Sequence, residues 1–222
     1  MFRLMFQLVL WLAALGALIL WPAGTLAYPA AWILLALFAF GGAAMILWLR
    51  RYSPRLLHER MASPWQRDQK PWDRAWILVF ILGFLTWLAF TSFDAARNGF
   101  TAIPLWLQAI GFLAILINGA GTWWTFRENA FAAPVVKIQK DQRVIDTGPY
   151  AFVRHPMYTS SLFLLVGIPL LLGSWIGLLL AVFFVLGIAW RAVHEEHALT
   201  AGLEGYADYA KRVRWRLIPF IW

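Results

Sequence analysis

The sequence has no cysteine, only 11 acidic residues, four histidines and 14% charged residues in a chain of 222. Without cysteine there is no disulfide scaffold, and cysteine usage leaves the redox compartment open. An ordinary soluble domain is about 25% charged and about 45–50% apolar. This chain departs in both directions, with 62% apolar residues. Such hydrophobicity excludes disorder, which requires a chain too polar to bury a core. Four histidines (His58, His155, His194 and His197) leave few ligands for a multi-iron membrane oxygenase. No internal repeat is visible, which argues against a transporter built from duplicated halves. No string of charges runs through the apolar stretches, as an ion pump or proton relay would require.

What is present is a series of long apolar stretches, at 4–21, 30–49, 75–93 and 104–126, then 158–172 and 175–190. The first four approach or reach the ~20 residues that a bilayer core of ~30 Å requires. The last two are shorter and parted only by Gly173-Ser174, which reads as a tight helical hairpin that need not cross fully. The first stretch has a signal-peptide look, with Arg3 before it and Thr25-Leu26-Ala27 after it. It is too long for such a segment and a second span follows at once, so it reads as a retained helix. The fold class is therefore all-α: an integral membrane, multi-pass protein of about six membrane helices, closed by a C-terminal cytoplasmic helix.

A net charge of +8 and a pI of 10.3 fit either a nucleic-acid binder or a membrane protein with basic cytoplasmic loops. Where the charges lie decides. Lys and Arg fall as Arg3, seven in 50–74, Arg97 alone, five in 127–154 and five from Arg191 onward. If Met1 is cytoplasmic and every segment crosses, 18 of the 19 lie on one side, and the far side keeps only Arg97, offset by Asp94. The positive-inside rule then puts both termini in the cytoplasm, and in a bacterium the protein in the inner membrane. No nucleic-acid partner is expected. Trp21, Trp32, Trp48, Trp76, Trp106, Trp123, Trp124, Trp175 and Trp190 fall near segment ends, where an indole suits the headgroup region.

The division by composition is residues 1–126, membrane helices with a basic cytoplasmic loop, and residues 127–222, where the chemistry concentrates. The loop at 50–74 reads as a solvated basic segment lying on anionic headgroups. In the next cytoplasmic segment, Val135–Gln139 and Arg143–Ile145 look like two short extended runs around Lys140-Asp141. Asp146-Thr147-Gly148-Pro149-Tyr150 follows as a turn by composition. Then Arg154-His155-Pro156-Met157-Tyr158 leads into an apolar helix, with Pro156 placed to start it. Such a helix start, flanked by Arg154 and His155, is either a plain beginning of a helix or a site for a carboxylate or phosphate.

A second cluster, Arg191-Ala192-Val193-His194-Glu195-Glu196-His197, lies where the last apolar helix ends. Arg191 and Glu195 share a helix face. The cluster is either a solvated helix end with snorkelling side chains or a functional group of residues. His194 and His197 lack the H-E-x-x-H spacing of a zinc helix, so no metal is expected. The segment 203–214 reads as a short amphipathic cytoplasmic helix, and Arg216-Leu217-Ile218-Pro219-Phe220 as an apolar end at the membrane surface. Gln7, Gln108 and Asn118 are polar residues within the apolar stretches and suit interhelical hydrogen bonds. Asn118-Gly119-Ala120-Gly121 adds small residues that would let a neighbour or ligand come close.

Gly148-Pro149-Tyr150, Arg154-His155-Pro156-Met157-Tyr158, Glu195-Glu196, and the tail Tyr206, Tyr209, Lys211-Arg212-Val213 and Pro219 together resemble the isoprenylcysteine carboxyl methyltransferase family. That family belongs to a wider group with the phospholipid N-methyltransferases, and the resemblance runs over roughly residues 118–222. It implies an integral membrane enzyme that moves the methyl of S-adenosylmethionine onto an amphiphilic, lipid-like acceptor entering from the bilayer. By position, it implies cofactor contacts from Gln139, Gln142, Arg143, Val144, Ile145, Tyr150, His155, Pro156, Met157, Tyr158 and Glu195. Arg191 matches the arginine that faces the acceptor carboxylate in the prenylcysteine enzymes. For an amine acceptor, Glu196 or His194 is the candidate base. The alternative, an NADPH-dependent reductase of the sterol type, shares the R-H-P motif. There an Asn usually follows the Pro, where this chain has Met157.

Overall fold

The computed structural model describes residues 2–66, 68–98 and 103–222. Met1, from which the orientation was reckoned, and Arg67 of the basic segment lie outside the described residues. The elements in chain order are α1 (Phe2–Ala23), α2 (Pro29–Tyr52), α3 (Pro54–Met61), α4 (Pro71–Phe93), α5 (Leu105–Glu128), α6 (Pro156–Leu172), α7 (Trp175–Gly202) and α8 (Tyr206–Arg212). Among the described residues there is no strand. The chain is a multi-pass membrane protein: α1, α2, α4 with the π-helical turn that extends it, α5 and α7 are long and apolar enough to cross a bilayer.

The hairpin expected at the end of the apolar series is present but lopsided. At 1.5 Å per residue α6, with 17 residues, spans about 25 Å, and α7, with 28, about 42 Å. So α7 does not stop at Trp190, and it carries the Arg191–His197 cluster on beyond the apolar core as continuous helix. Gly173 makes the reversal with φ +99°, and the Ser174 hydroxyl caps α7 by accepting from the Gly177 amide at 2.8 Å.

The closest helix pair is α5 against α6. A Cβ on Gly111 would sit 2.5 Å from the Leu171 nitrogen, and one on Gly167 would sit 2.8 Å from the Gly111 carbonyl oxygen. Two glycines face to face let the backbones touch, the usual basis of close packing where lipid removes any hydrophobic drive between helices. Ile19, Leu34, Leu88, Ile168 and Ala192 are fully buried in one cluster, so both halves of the chain share a core. Indole N–H groups add specific ties between α4 and α7: Trp87 donates to the Gly177 carbonyl (2.8 Å) and Trp76 to that of Gly187 (3.1 Å). Trp76 is thus an inward strut and not the belt anchor its place in the sequence suggested. Trp21 and Trp106 do stand exposed.

The basic segment after α2 also differs from the expected loop on headgroups. Leu56 of α3 is fully buried against Leu49 and Phe126. Glu59 pairs with Lys137 (2.7 Å), and Arg55 donates to the Lys140 carbonyl (2.8 Å). The helix is therefore docked on the segment between α5 and α6. An apolar position inside a charge-rich octapeptide, PRLLHERM, is the amphipathic signal that composition averaged away.

Candidate functional site

Between α5 and α6 the chain crosses one end of the bundle without forming strands. Lys140-Asp141 makes the turn between the two extended runs, with Asp141 at φ +60° and the Gln142 amide donating to the Gln139 carbonyl (3.2 Å). The first run pairs with the segment at the start of α4. Val136 accepts from the Lys70 amide (3.2 Å) and donates to Asp73 Oδ2 (2.9 Å). Gly148–Ala151 forms one 3₁₀ turn, after which Arg154 and His155 donate their amides to the carbonyls of Trp215 (2.9 Å) and Arg216 (3.0 Å). The C-terminal tail therefore does more than lie on the membrane surface, because it clamps the R-H-P motif from outside.

These elements enclose a cavity with about 810 Å³ of space free of protein atoms, part of it open to solvent. Its walls come from 129–137, 142–145, the R-H-P segment, α7 and α8. Gln142, Arg143, Val144, Ile145, Tyr150, His155, Pro156, Met157, Tyr158 and Glu195 all line it. Gln139 does not: it is buried behind the loop, where its Nε2 donates to the Phe131 carbonyl (2.7 Å) and its Oε1 has no partner. Arg191 and Glu196 lie behind the wall as well.

The charged side chains are tightly allotted. Tyr158 donates to Glu195 Oε2 (2.5 Å), and its ring stacks on that of His155, 5.3 Å between centroids. Glu196 receives Arg154 on both oxygens (2.6 and 3.2 Å), His155 Nε2 at 3.1 Å from Oε1, and Arg216 Nε on Oε2 (3.0 Å). Both its oxygens are occupied by cations or ring nitrogen, so it holds Arg154 and His155 in place and has no lone pair directed at the cavity. Arg191 donates to buried Asp73 Oδ1 (2.9 Å) and to the Pro134 carbonyl (2.9 Å), with its guanidinium 4.6 Å over the Trp76 ring. His194 stacks on Trp190, 3.8 Å between centroids, beside Trp72, and lines no part of the cavity.

Burial pushes the Tyr150, Tyr206 and Tyr209 hydroxyls well above the ordinary tyrosine range. They stay protonated at neutral pH. Tyr150 is held by Asn129 Nδ2 (2.8 Å), and Tyr209 donates to the Tyr150 carbonyl (2.9 Å). Tyr206 lines the cavity, and its hydroxyl is buried with no partner among the described residues. Burial also pulls Arg60 of α3 down to about 10, with Arg191 lowering it further against the Tyr150 and Tyr158 hydroxyls.

Several of these residues were not legible from the motifs. Asp73, Asn129 and Arg60 are the main omissions, while Tyr206 stood in the motif without a place at the site. Asp73 did leave a trace, as a carboxylate one turn into an otherwise apolar helix, where desolvation demands a partner.

The phospholipid methyltransferase family model matches residues 106–204, from α5 to just beyond α7. This stretch holds the R-H-P-x-Y motif and the double Glu. Residues 106–204 are thus similar to phospholipid methyltransferases. The match falls in the wider group that the R-H-P-x-Y and double-Glu motifs resemble. Among curated proteins, the chain is 27% identical over 113 residues to the nickel-cobalt-cadmium resistance protein NccN of Alcaligenes xylosoxydans xylosoxydans, covering 50% of each. It is 26% identical over 131 residues to the cobalt-zinc-cadmium resistance protein CzcN of Cupriavidus metallidurans, covering 56% of this chain and 55% of that one. The chain thus spans about half the length of the curated relatives it matches. α1 to α4, which supply Asp73 and Arg60, lie outside the family match.

Proposed function

We propose that this chain is an integral membrane methyltransferase that uses S-adenosylmethionine and methylates an amphiphilic, lipid-like acceptor at the cytoplasmic face. Both termini lie in the cytoplasm, and in a bacterium the membrane is the inner one. The observation that carries the reading is the cavity: residues scattered from 142 to 195, recognised by motif, line a single space with Glu195, one of whose carboxylate oxygens has no partner among the described residues.

The residues fit the cofactor. S-adenosylmethionine has an ammonium, a carboxylate and a ribose diol, and when bound it supplies an electrophilic methyl on a sulfonium. Glu195 suits the ammonium or a ribose hydroxyl, and the unpartnered Tyr206 hydroxyl suits an oxygen acceptor. His155 and Tyr158, stacked together, present a flat wall, and Met157 and Ile145 an apolar one. The part of the cavity walls in methyl transfer would be to hold the acceptor lone pair in line with that methyl and its bond to sulfur. Alignment alone contributes about 7–11 kcal/mol in well-oriented systems. An amine acceptor must also lose a proton, and Glu196, the candidate for that, has both oxygens filled. A carboxylate acceptor needs no base, so the charge arrangement favours an acceptor that arrives as an anion.

Isothermal titration of the purified chain with S-adenosylhomocysteine tests the reading. Micromolar or tighter binding, weakened tenfold or more by Glu195→Gln, is the expected result. No binding of S-adenosylhomocysteine together with clear binding of NADPH would reject it.

A further inference from the structure

Around the cavity two arginines are left without a carboxylate among the described residues: Arg143, which is exposed, and Arg60, which is half-buried. Arg191 is matched by Asp73, while Arg154 and Arg216 are matched by Glu196. Arg60 has no carboxylate partner among the described residues. Its Nη1 donates to the Ala132 carbonyl (2.8 Å) and touches the Met157 sulfur (3.6 Å), and its guanidinium lies 4.4 Å over the Phe126 ring. Ala132 and Met157 both line the cavity. Tyr150 and Tyr158 line the same cavity, and Arg191 is the like charge that acts on Arg60.

The position is built. Buried Leu56 seats α3, and the Glu59–Lys137 pair and the Arg55–Lys140 bond hold it on the segment that forms the cavity wall. Nε and Nη2 of Arg60 make no hydrogen bond within the described protein. A guanidinium so placed bears a desolvation cost that an anion would offset, and its remaining fork matches a carboxylate or phosphate.

We propose that Arg60, from outside the family-matched region, is the anion-binding residue of this site and receives the carboxylate or phosphate of a ligand in the cavity. The proposal rests on the methyltransferase reading only in naming the two possible sources of that oxyanion. One is the carboxylate of the cofactor's methionine end, and the other is the acidic headgroup of the acceptor.

Three probes separate them, each titrated into the full chain in neutral detergent: S-adenosylhomocysteine, 5′-methylthioadenosine, which lacks the amino-acid end, and dodecyl phosphate. Arg60→Gln is expected to weaken at least one anionic probe tenfold or more, with 5′-methylthioadenosine affected less than twofold. Arg60→Lys restores part of the loss. Loss confined to S-adenosylhomocysteine supports a cofactor contact, and loss confined to dodecyl phosphate supports an acceptor contact. Unchanged affinity for both anionic probes overturns the proposal. So does equal weakening of 5′-methylthioadenosine, or the same loss of dodecyl phosphate in Arg51→Gln, which removes an exposed charge on α2. If the wild-type chain ignores S-adenosylhomocysteine, the methyltransferase reading fails, and the dodecyl phosphate arm alone then decides Arg60.

Discussion

Replacing Asp73, the one carboxylate of α4, by Ala should cost this protein several kcal/mol of stability. Asp73 is fully buried, and its Arg191 partner is 7% exposed at the side chain. One carboxylate oxygen accepts from Arg191, and the other accepts from the Val136 amide (2.9 Å) and Gln69 Nε2 (2.9 Å). Asp73→Ala leaves the guanidinium over Trp76 with only a backbone carbonyl, and strands two buried donors. Breaking one side of a buried ion pair costs about 3–5 kcal/mol, and the charge dominates that figure. For a chain of this length 1 kcal/mol moves Tm by about 2–4 °C, so a fall of about 6–20 °C is expected. Thermal unfolding of the detergent-purified protein, followed by tryptophan fluorescence, measures it. Asp73→Asn combined with Arg191→Met removes both charges yet keeps an acceptor for the Val136 amide. It should recover most of the loss, because a buried pair replaced as a unit is close to neutral. A Tm within about 2 °C of wild type for Asp73→Ala would refute the reasoning, as would single effects that simply add in the double variant.

Tyr206→Phe removes a buried hydroxyl with no partner, so apo stability should hold or rise by up to about 1 kcal/mol, while affinity for S-adenosylhomocysteine falls roughly tenfold in titration calorimetry. Glu196→Gln leaves Arg154 and Arg216 without their anion and should destabilise by about 3 kcal/mol in the same thermal assay, a larger effect than Glu195→Gln, whose carboxylate has no arginine partner. The raised hydroxyls of Tyr150, Tyr206 and Tyr209 give a pH dependence of definite sign. Their contribution is complete below pH 10 and is lost as pH rises beyond it, where the unfolded tyrosines ionise and the folded ones do not. Unfolding followed from pH 9 to 11 should show this decline, and Tyr209→Phe should make it shallower. Gly167→Leu drives a side chain into the α5 backbone at Gly111 and should cost at least about 1–3 kcal/mol, visible as loss of monodisperse protein on size exclusion.

Helix number and the boundaries of most spans were legible because each apolar stretch must satisfy its own backbone within the bilayer, a constraint that acts locally along the chain. The cavity wall was legible for a different reason. Ten of the residues assigned to the cofactor sit within short segments whose order the motif preserves, so the fold brings them together without further information. Arg191 and Glu196 were recognised as important, but their partners were not. Their ion pairs run to residues 118 and 42 positions away, and sequence distance hides such pairings.

The basic segment shows the limit most clearly. Seven Lys and Arg between 50 and 74 average to a solvated loop. Yet one buried Leu56 and one carboxylate, Glu59, are enough to fold eight of those residues into α3 and dock it. By itself the sequence determined that the protein is helical, membrane-spanning and strongly asymmetric in charge, since hydropathy and charge are properties of segments. Only the tertiary structure decided which charges are spent on one another and which, like Arg60, have no carboxylate partner among the described residues. Pairing in a low-dielectric interior depends on ångström distances between distant parts of the chain, and no segment carries that information alone.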